Sequence, residues 1–279
     1  MTNDSLIPAP EPGALQIIDY DALSGAGFEN TSEKDLSLPF LNLLQSNSPE
    51  VKKQNAKYVP GAEAGMILNS QTRQVFDGQK GIVIVPLFVT HLYTKWNSRD
   101  AGGGFRGTLE LQDSLVKTAQ EAFDRNHDPK KKLSKHLLLP TGENIVETYY
   151  VFALVLSDDG ETPVGGVVIP FTSTKITAYK KGIYTPCYTM KGPNGKIPPL
   201  FSHRLRLTTA LETRPDGESF NYRIAPMSGS LRESQIPSDH PLARVALENY
   251  KDVSSGKVKA AEQGIVEPEA ESPRDEVFS

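Results

Sequence analysis

The sequence predicts a mainly β protein of the α+β class: a five-stranded barrel interrupted by a helical insertion, with flexible acidic ends. Three observations carry this expectation. Runs rich in β-branched and aromatic residues, such as GIVIVPLFVTHLYTKW and ETYYVFALVL, alternate with turn residues. Residues 97–145 break that pattern with glycines, helical spacing and lysines. Charge is segregated: residues 1–36 hold seven acids and one lysine and residues 262–279 are net -5, so a chain of net -4 keeps +7 in its body.

The elements follow in order. Residues 1–36 read as a mobile acidic arm, because Pro, Gly, Asp and Glu dominate and no period appears. LSLPFLNLLQSNSPEV opens the ordered part with one short helix ending before Pro49. GMILNSQTRQVFDG has the pattern of a hairpin with a polar tip. Residues 81–96 suit a long strand, in which Pro86 demands an edge position or a bulge. Beyond Leu87, His91, Tyr93 and Lys95 share one face of that strand, and Leu92, Thr94 and Trp96 share the other.

In the insertion, NSRDAGGGFRG is a glycine-rich loop, and Leu111, Leu115, Ala119, Ala122 and Phe123 recur at helical spacing. DPKKKLSK follows as a basic turn. Tyr149–Leu156 is apolar on both faces and suits a central strand. Ser157-Asp158-Asp159-Gly160 is a turn, and Val164–Phe171 is the next strand. Residues 200–211 form a strand with Phe201, His203, Leu205 and Leu207 on one face and Ser202, Arg204, Arg206 and Thr208 on the other. A turn at Arg214-Pro215-Asp216-Gly217 leads to a last strand, SFNYRIAPM. DHPLARVALENYKD is a terminal helix, with Asp239 as cap and Pro241 in the first turn. Three strands, a connecting element and two further strands are in the order of an oligonucleotide-binding (OB) barrel. The boundaries expected are an arm at 1–36, an OB-like domain at 37–228, a helix and linker at 229–256 and a disordered tail at 257–279.

One segment stands out chemically. From Thr162 to Leu211 there is no Asp or Glu, while Lys175, Lys180, Lys181, Lys191, Lys196, Arg204 and Arg206 occur with Phe171, Tyr179, Tyr184, Tyr188 and Phe201 among them. Cations replace the counterions of a phosphate backbone, and flat rings stack on unpaired bases. The same residues also permit a plainer reading. Ile176, Tyr179, Ile183, Cys187 and Met190 recur at spacings of three and four, a helix stripe of the kind that usually faces a core. Tyr179 therefore has two open assignments, core or platform, whereas Tyr184 and Tyr188 are expected at the surface. Further candidates for nucleic-acid contact are Trp96 with Lys95 and Arg99, Phe105 and Arg106 on the glycine loop, and Arg223 on the last strand. The reading requires Tyr184, Tyr188, Arg204 and Arg206 to share one open face.

Other chemistries find less support. Five histidines and the lone Cys187 have no zinc-binding spacing, and no hydrolase, P-loop or dinucleotide motif is present. Glu143 and Glu147 are the pair a nuclease would need, but nothing distinguishes them from surface acids. No enzymatic activity, cofactor or metal is expected. One cysteine, no apolar run of about 18 residues and no signal-peptide pattern point to the cytosol.

The chain ends SPRDEVFS, where Asp275, Glu276 and Phe278 suit a hook for a protein partner. A basic barrel with an acidic tail and a near-terminal Phe resembles the single-stranded DNA-binding proteins of tailed bacteriophages. LPFLNLLQSNSPEV, GIVIVPLFVTHLYTKW with its trailing GGGF, and PFTSTKITAYKK are similar to phage proteins grouped with them. The resemblance implies an OB fold, coating of single-stranded DNA in replication and recombination, and contact with replication or recombination proteins through the tail. A homodimer is compatible with it, and no membrane partner is implied. The alternative is a virion structural or assembly protein whose β-domain packs against other chains.

Overall fold

A computed structural model describes residues 37–97, 104–126, 137–214 and 217–261. Its strands are β1 (Ser37–Leu38), β2 (Leu41–Leu43), β3 (Ile67–Asn69), β4 (Val75–Phe76), β5 (Ile82–Trp96), β6 (Phe105–Leu109), β7 (Leu137–Leu138), β8 (Asn144–Leu156), β9 (Pro163–Thr172), β10 (Leu205–Arg214), β11 (Gly217–Pro226) and β12 (Lys259–Ala260). Its helices are α1 (Ser114–Asn126), α2 (Lys175–Tyr179), α3 (Thr185–Thr189) and α4 (Pro241–Ser254). Between α2 and α3 the chain makes a wider, π-type turn over Lys180–Tyr184. Over the described residues the protein is mainly β, built on a sheet of seven strands.

The spine of that sheet is the antiparallel pair β5–β8, in register from Val83↔Leu156 to Trp96↔Asn144. One edge of β5 pairs with β10 near its start and with β6 near its end, and the outer edge of β8 pairs with β9 and β7. Residues of β5, β8 and β9 alternate between two cores, as strand geometry requires, and β10 adds Leu205 and Leu207 to the first. On the first face Ile84, Val151, Ile169 and Leu205 pack with Leu41, Ile67 and Tyr222. On the second, Val85, Leu154 and Val168 pack with Leu242, Ala246 and Val253 of α4 and its end.

Pro86 has the expected effect. A register shift between Pro86 and Phe88 leaves Leu87 as an extra residue, a bulge inside a central strand. It inverts the parity of β5, so Ile82 and Ile84 share the first face with Val89 and with His91, which lies opposite Tyr149. Without the bulge those downstream side chains would fall on the face covered by α4.

Several expectations are corrected. The strands do not close into a barrel: among the described residues the outer strands β9 and β11 are not paired to each other. Instead α2 and the π turn pack against β11, α2 also packs against β9, and Tyr179 and Ile183 enter the first-face core. The short helix expected before Pro49 is replaced by β1 and β2, because Leu41 and Leu43 alternate inward across β3. The strand expected from residue 200 begins at Leu205, after a 3-10 turn at Leu200–Ser202. The cap of α4 is His240 rather than Asp239, its Nδ1 accepting from the Leu242 N–H at 3.2 Å. The tail begins later than residue 257, since β12 pairs in parallel with β1 and the Ala261 N–H donates to the Leu38 carbonyl.

Candidate nucleic-acid interface

Five rings follow one another across the first face and the segment that covers it. His91 and Tyr149, opposite each other on β5 and β8, stack at 3.9 Å between centroids with planes 12° apart. Tyr149 stacks on Tyr179 at 4.8 Å, Tyr179 lies 6.3 Å from Tyr184, and Tyr184 stacks on Tyr188 at 5.4 Å with planes 17° apart. Burial changes along this ladder. Tyr179 is buried, His91 and Tyr149 are half-buried, and Tyr184 and Tyr188 are 50% and 57% exposed.

Local sequence explains the gradient. Tyr179, Ile183 and Cys187 occupy the inward stripe of the helical segment, and Tyr184 and Tyr188 lie one position beyond it. The π turn widens the helix at Lys180–Tyr184, a distortion often found at functional sites. Gly182 lets the turn approach β11, because a Cβ there would lie 2.5 Å from the Ile224 Cβ. The Lys180 ammonium lies 5.6 Å from the Tyr149 ring centre, a cation–π arrangement. Lys181, Lys191 and Lys196 are exposed. The turn that carries Lys191 and Lys196 is tied down by Arg232, whose Nη2 donates to the Lys191 carbonyl at 3.1 Å.

Burial dominates the electrostatics of the inner phenols. Burial, and then the nearby Glu147 carboxylate, raise the Tyr93 and Tyr149 phenols above their ordinary range. Burial raises Tyr179 as well, and the Cys187 thiol is pushed up to about 11 by burial. Uncharged phenols suit stacking beside phosphate. The ladder does include one carboxylate. Glu147 Oε1 lies 2.9 Å from His91 Nε2 and accepts from the Tyr149 hydroxyl at 3.4 Å. The inner end of the ladder therefore carries an acid that the acid-free segment of the sequence does not contain.

The remaining candidates are dispersed. Arg206 lies opposite Val83, on the second face, and Arg204 is held by Glu161. The strand arginines are thus separated from the tyrosines by the thickness of the sheet. The interval from Val83 to His91 adds about 25 Å along β5. The single ribbon of rings and cations expected from sequence is divided between two faces, so the shared open face of Tyr184, Tyr188, Arg204 and Arg206 that the expectation required does not exist, and the tyrosines with their neighbouring lysines are the part that remains a candidate. Lys175 is buried and engaged within the fold. Trp96 is buried at 6% exposure, with its indole N–H donating to Thr94 Oγ1 at 3.0 Å and its ring edge-on to Phe105. It caps the end of the sheet and offers no stacking face. Lys95 pairs with Glu143 at 3.5 Å, Arg106 donates to Asn97 at 2.8 Å, and Arg223 pairs with Glu212 at 2.7 Å. Arg99, Asp275, Glu276 and Phe278 lie outside the described residues.

His91 and Tyr149 are the functional candidates that sequence reasoning missed. The parity of β5 had already placed His91, Tyr93 and Lys95 together. The missing datum was the register that puts Tyr149 beside His91, which depends on the bulge.

Fold and face together define a class: a β-sheet protein presenting a tyrosine stack bordered by lysines. No group of metal-ligating residues occurs among the described residues. No helix among them is long and apolar enough to cross a membrane. The chain belongs to the Pam3 phage gp34-like protein family, whose model matches residues 9–259, and so stands with phage proteins. No curated protein and no solved structure matches it.

Proposed function

We propose that this protein binds single-stranded nucleic acid on the tyrosine ladder, and that in the phage it coats single-stranded DNA during replication or recombination. The observation that carries this reading is the stacked, half-exposed pair Tyr184–Tyr188 beside Lys180 and Lys181. Unpaired bases continue such a stack, Tyr149 extends it inward, and Lys180, Lys181, Lys191 and Lys196 neutralise phosphates. Arg204, Arg206, Trp96 and Lys175 take no part. Binding consumes no cofactor, and the C-terminal acids with Phe278 serve protein partners.

Fluorescence anisotropy of a dye-labelled oligo-dT tests this directly. Tyr184→Ala and Tyr188→Ala each weaken binding by roughly 5- to 150-fold, the range of one lost base–aromatic stack. Replacing Lys180 and Lys181 together flattens the salt dependence by about 1.4 in log–log slope. Arg206→Ala leaves affinity unchanged. Absence of binding, or indifference to both tyrosine variants, overturns the proposal. DNA-independent oligomers in the same sample would instead support the assembly role, since exposed tyrosines also anchor protein contacts.

A further inference from the structure

On the second face a cleft of about 710 Å³ opens between the Leu200–Ser202 turn, residues 232–238 and the first half of α4. Phe201, Ile236 and Leu247 supply apolar lining, and Ser202 and Ser238 add hydroxyls. Arg232 and Arg244, both exposed, are its charged residues, and no carboxylate is among the described residues that line it. Leu247 is a large apolar side chain left 37% exposed there. Such a cleft suits an acidic peptide carrying apolar side chains.

The chain contains a segment of that chemistry. The acidic arm 1–36 includes the run LQIIDYDAL, where Leu15, Ile17, Ile18 and Tyr20 alternate with Asp19 and Asp21. It joins the fold at Ser37, and the next residue, Leu38, packs on the same hydrophobic cluster as Phe201, Ile236 and Ala243. The run ends 14 residues before Ser37, and that length of chain spans up to about 45 Å. The C-terminal tail is also acidic, but the family match discriminates. It includes residues 9–36, so the arm lies within the part of the chain matched to the family, and it stops at 259, short of the tail.

We infer that residues 9–36 of the arm dock in cis into the Arg232–Arg244 cleft, apolar side chains against Phe201 and Leu247 and aspartates toward the arginines. This goes beyond nucleic-acid binding, since the cleft lies on the α4 side of the sheet and meets the lysine turn beside the tyrosine ladder through Arg232, which donates to the Lys191 carbonyl.

Photo-cross-linking in the full-length chain tests it, with p-benzoylphenylalanine at position 247 and, as a control, at the exposed position 211. Irradiation at 247 yields cross-links within one chain to residues 9–36, identified by mass spectrometry, and irradiation at 211 yields none. Reversing both charges with Arg232→Glu and Arg244→Glu lowers the yield at least about threefold, as does raising the salt, with the fold checked by circular dichroism. Cross-links to residues 262–279, cross-links only between chains, or no cross-links at all would each overturn the inference.

Discussion

His203 is fully buried, and its Nδ1 lies 3.3 Å from the Leu200 carbonyl while Nε2 has no hydrogen-bond partner among the described residues. If Nδ1 carries the proton and donates to that carbonyl, Nε2 is bare and the ring is neutral. Burial lowers the imidazole from its ordinary range and outweighs the backbone oxygens of Leu200 and Pro199, which favour the charged form. The sign of the linkage follows. Below about pH 6.5 the unfolded chain takes up a proton that the folded chain resists, so stability falls as pH drops through that value. Urea midpoints should decline between pH 7 and pH 5.5, and His203→Gln should flatten the decline. An equal slope in the variant would show that His203 is not the group responsible. Glu212 illustrates the opposite balance. Burial works against its carboxylate, but hydrogen bonds from Asn221, Arg214 and Arg223 outweigh it and hold the carboxyl below the usual range. Its pairing with Arg223 also explains why that arginine is committed to the hairpin.

At the scale of elements, the helical segment Lys175–Thr189 does what a strand would do in a closed barrel. It covers the core between β9 and β11 by inserting Tyr179 and Ile183. Its seating depends on Gly182. The Ile224 Cβ and backbone oxygen, 2.5 and 3.1 Å from a Cβ placed there, cannot both move aside without shifting β11. Gly182→Ala should therefore cost about 1–3 kcal/mol of stability, read from urea denaturation. It should also weaken oligo-dT binding, because the turn that positions Tyr184 is displaced. An unchanged midpoint would mean that the segment is not packed against β11.

At the scale of the whole molecule, the basic body stands between acidic ends, and β1–β12 pairing roots both ends at one place. On the proposed function, an 18-residue tail of net -5 would act as a tethered competitor of an anionic ligand. Deleting residues 262–279 should tighten oligo-dT binding at low salt, with the gain vanishing as salt screens the tail. Weaker binding by the shortened chain would instead assign the tail a supporting contact.

The sequence alone determined the elements whose signal is local. The long β5, the β3–β4 hairpin, α1, the central β8 and the α4 stripe follow from periodicity and turn residues within each segment. It also determined that Tyr184 and Tyr188 lie off the inward stripe of their helix. Only the tertiary structure decided which segments share a face. Arg204 and Arg206 lie within twenty residues of Tyr188, yet β10 carries Arg206 to the far side of the sheet, whereas His91 and Tyr149, 58 positions apart, become stacked neighbours. The physical reason is that strand pairing is long-range and parity-sensitive. One extra residue at the Pro86 bulge selects the face of every side chain beyond it, and no local pattern records which strand will lie opposite.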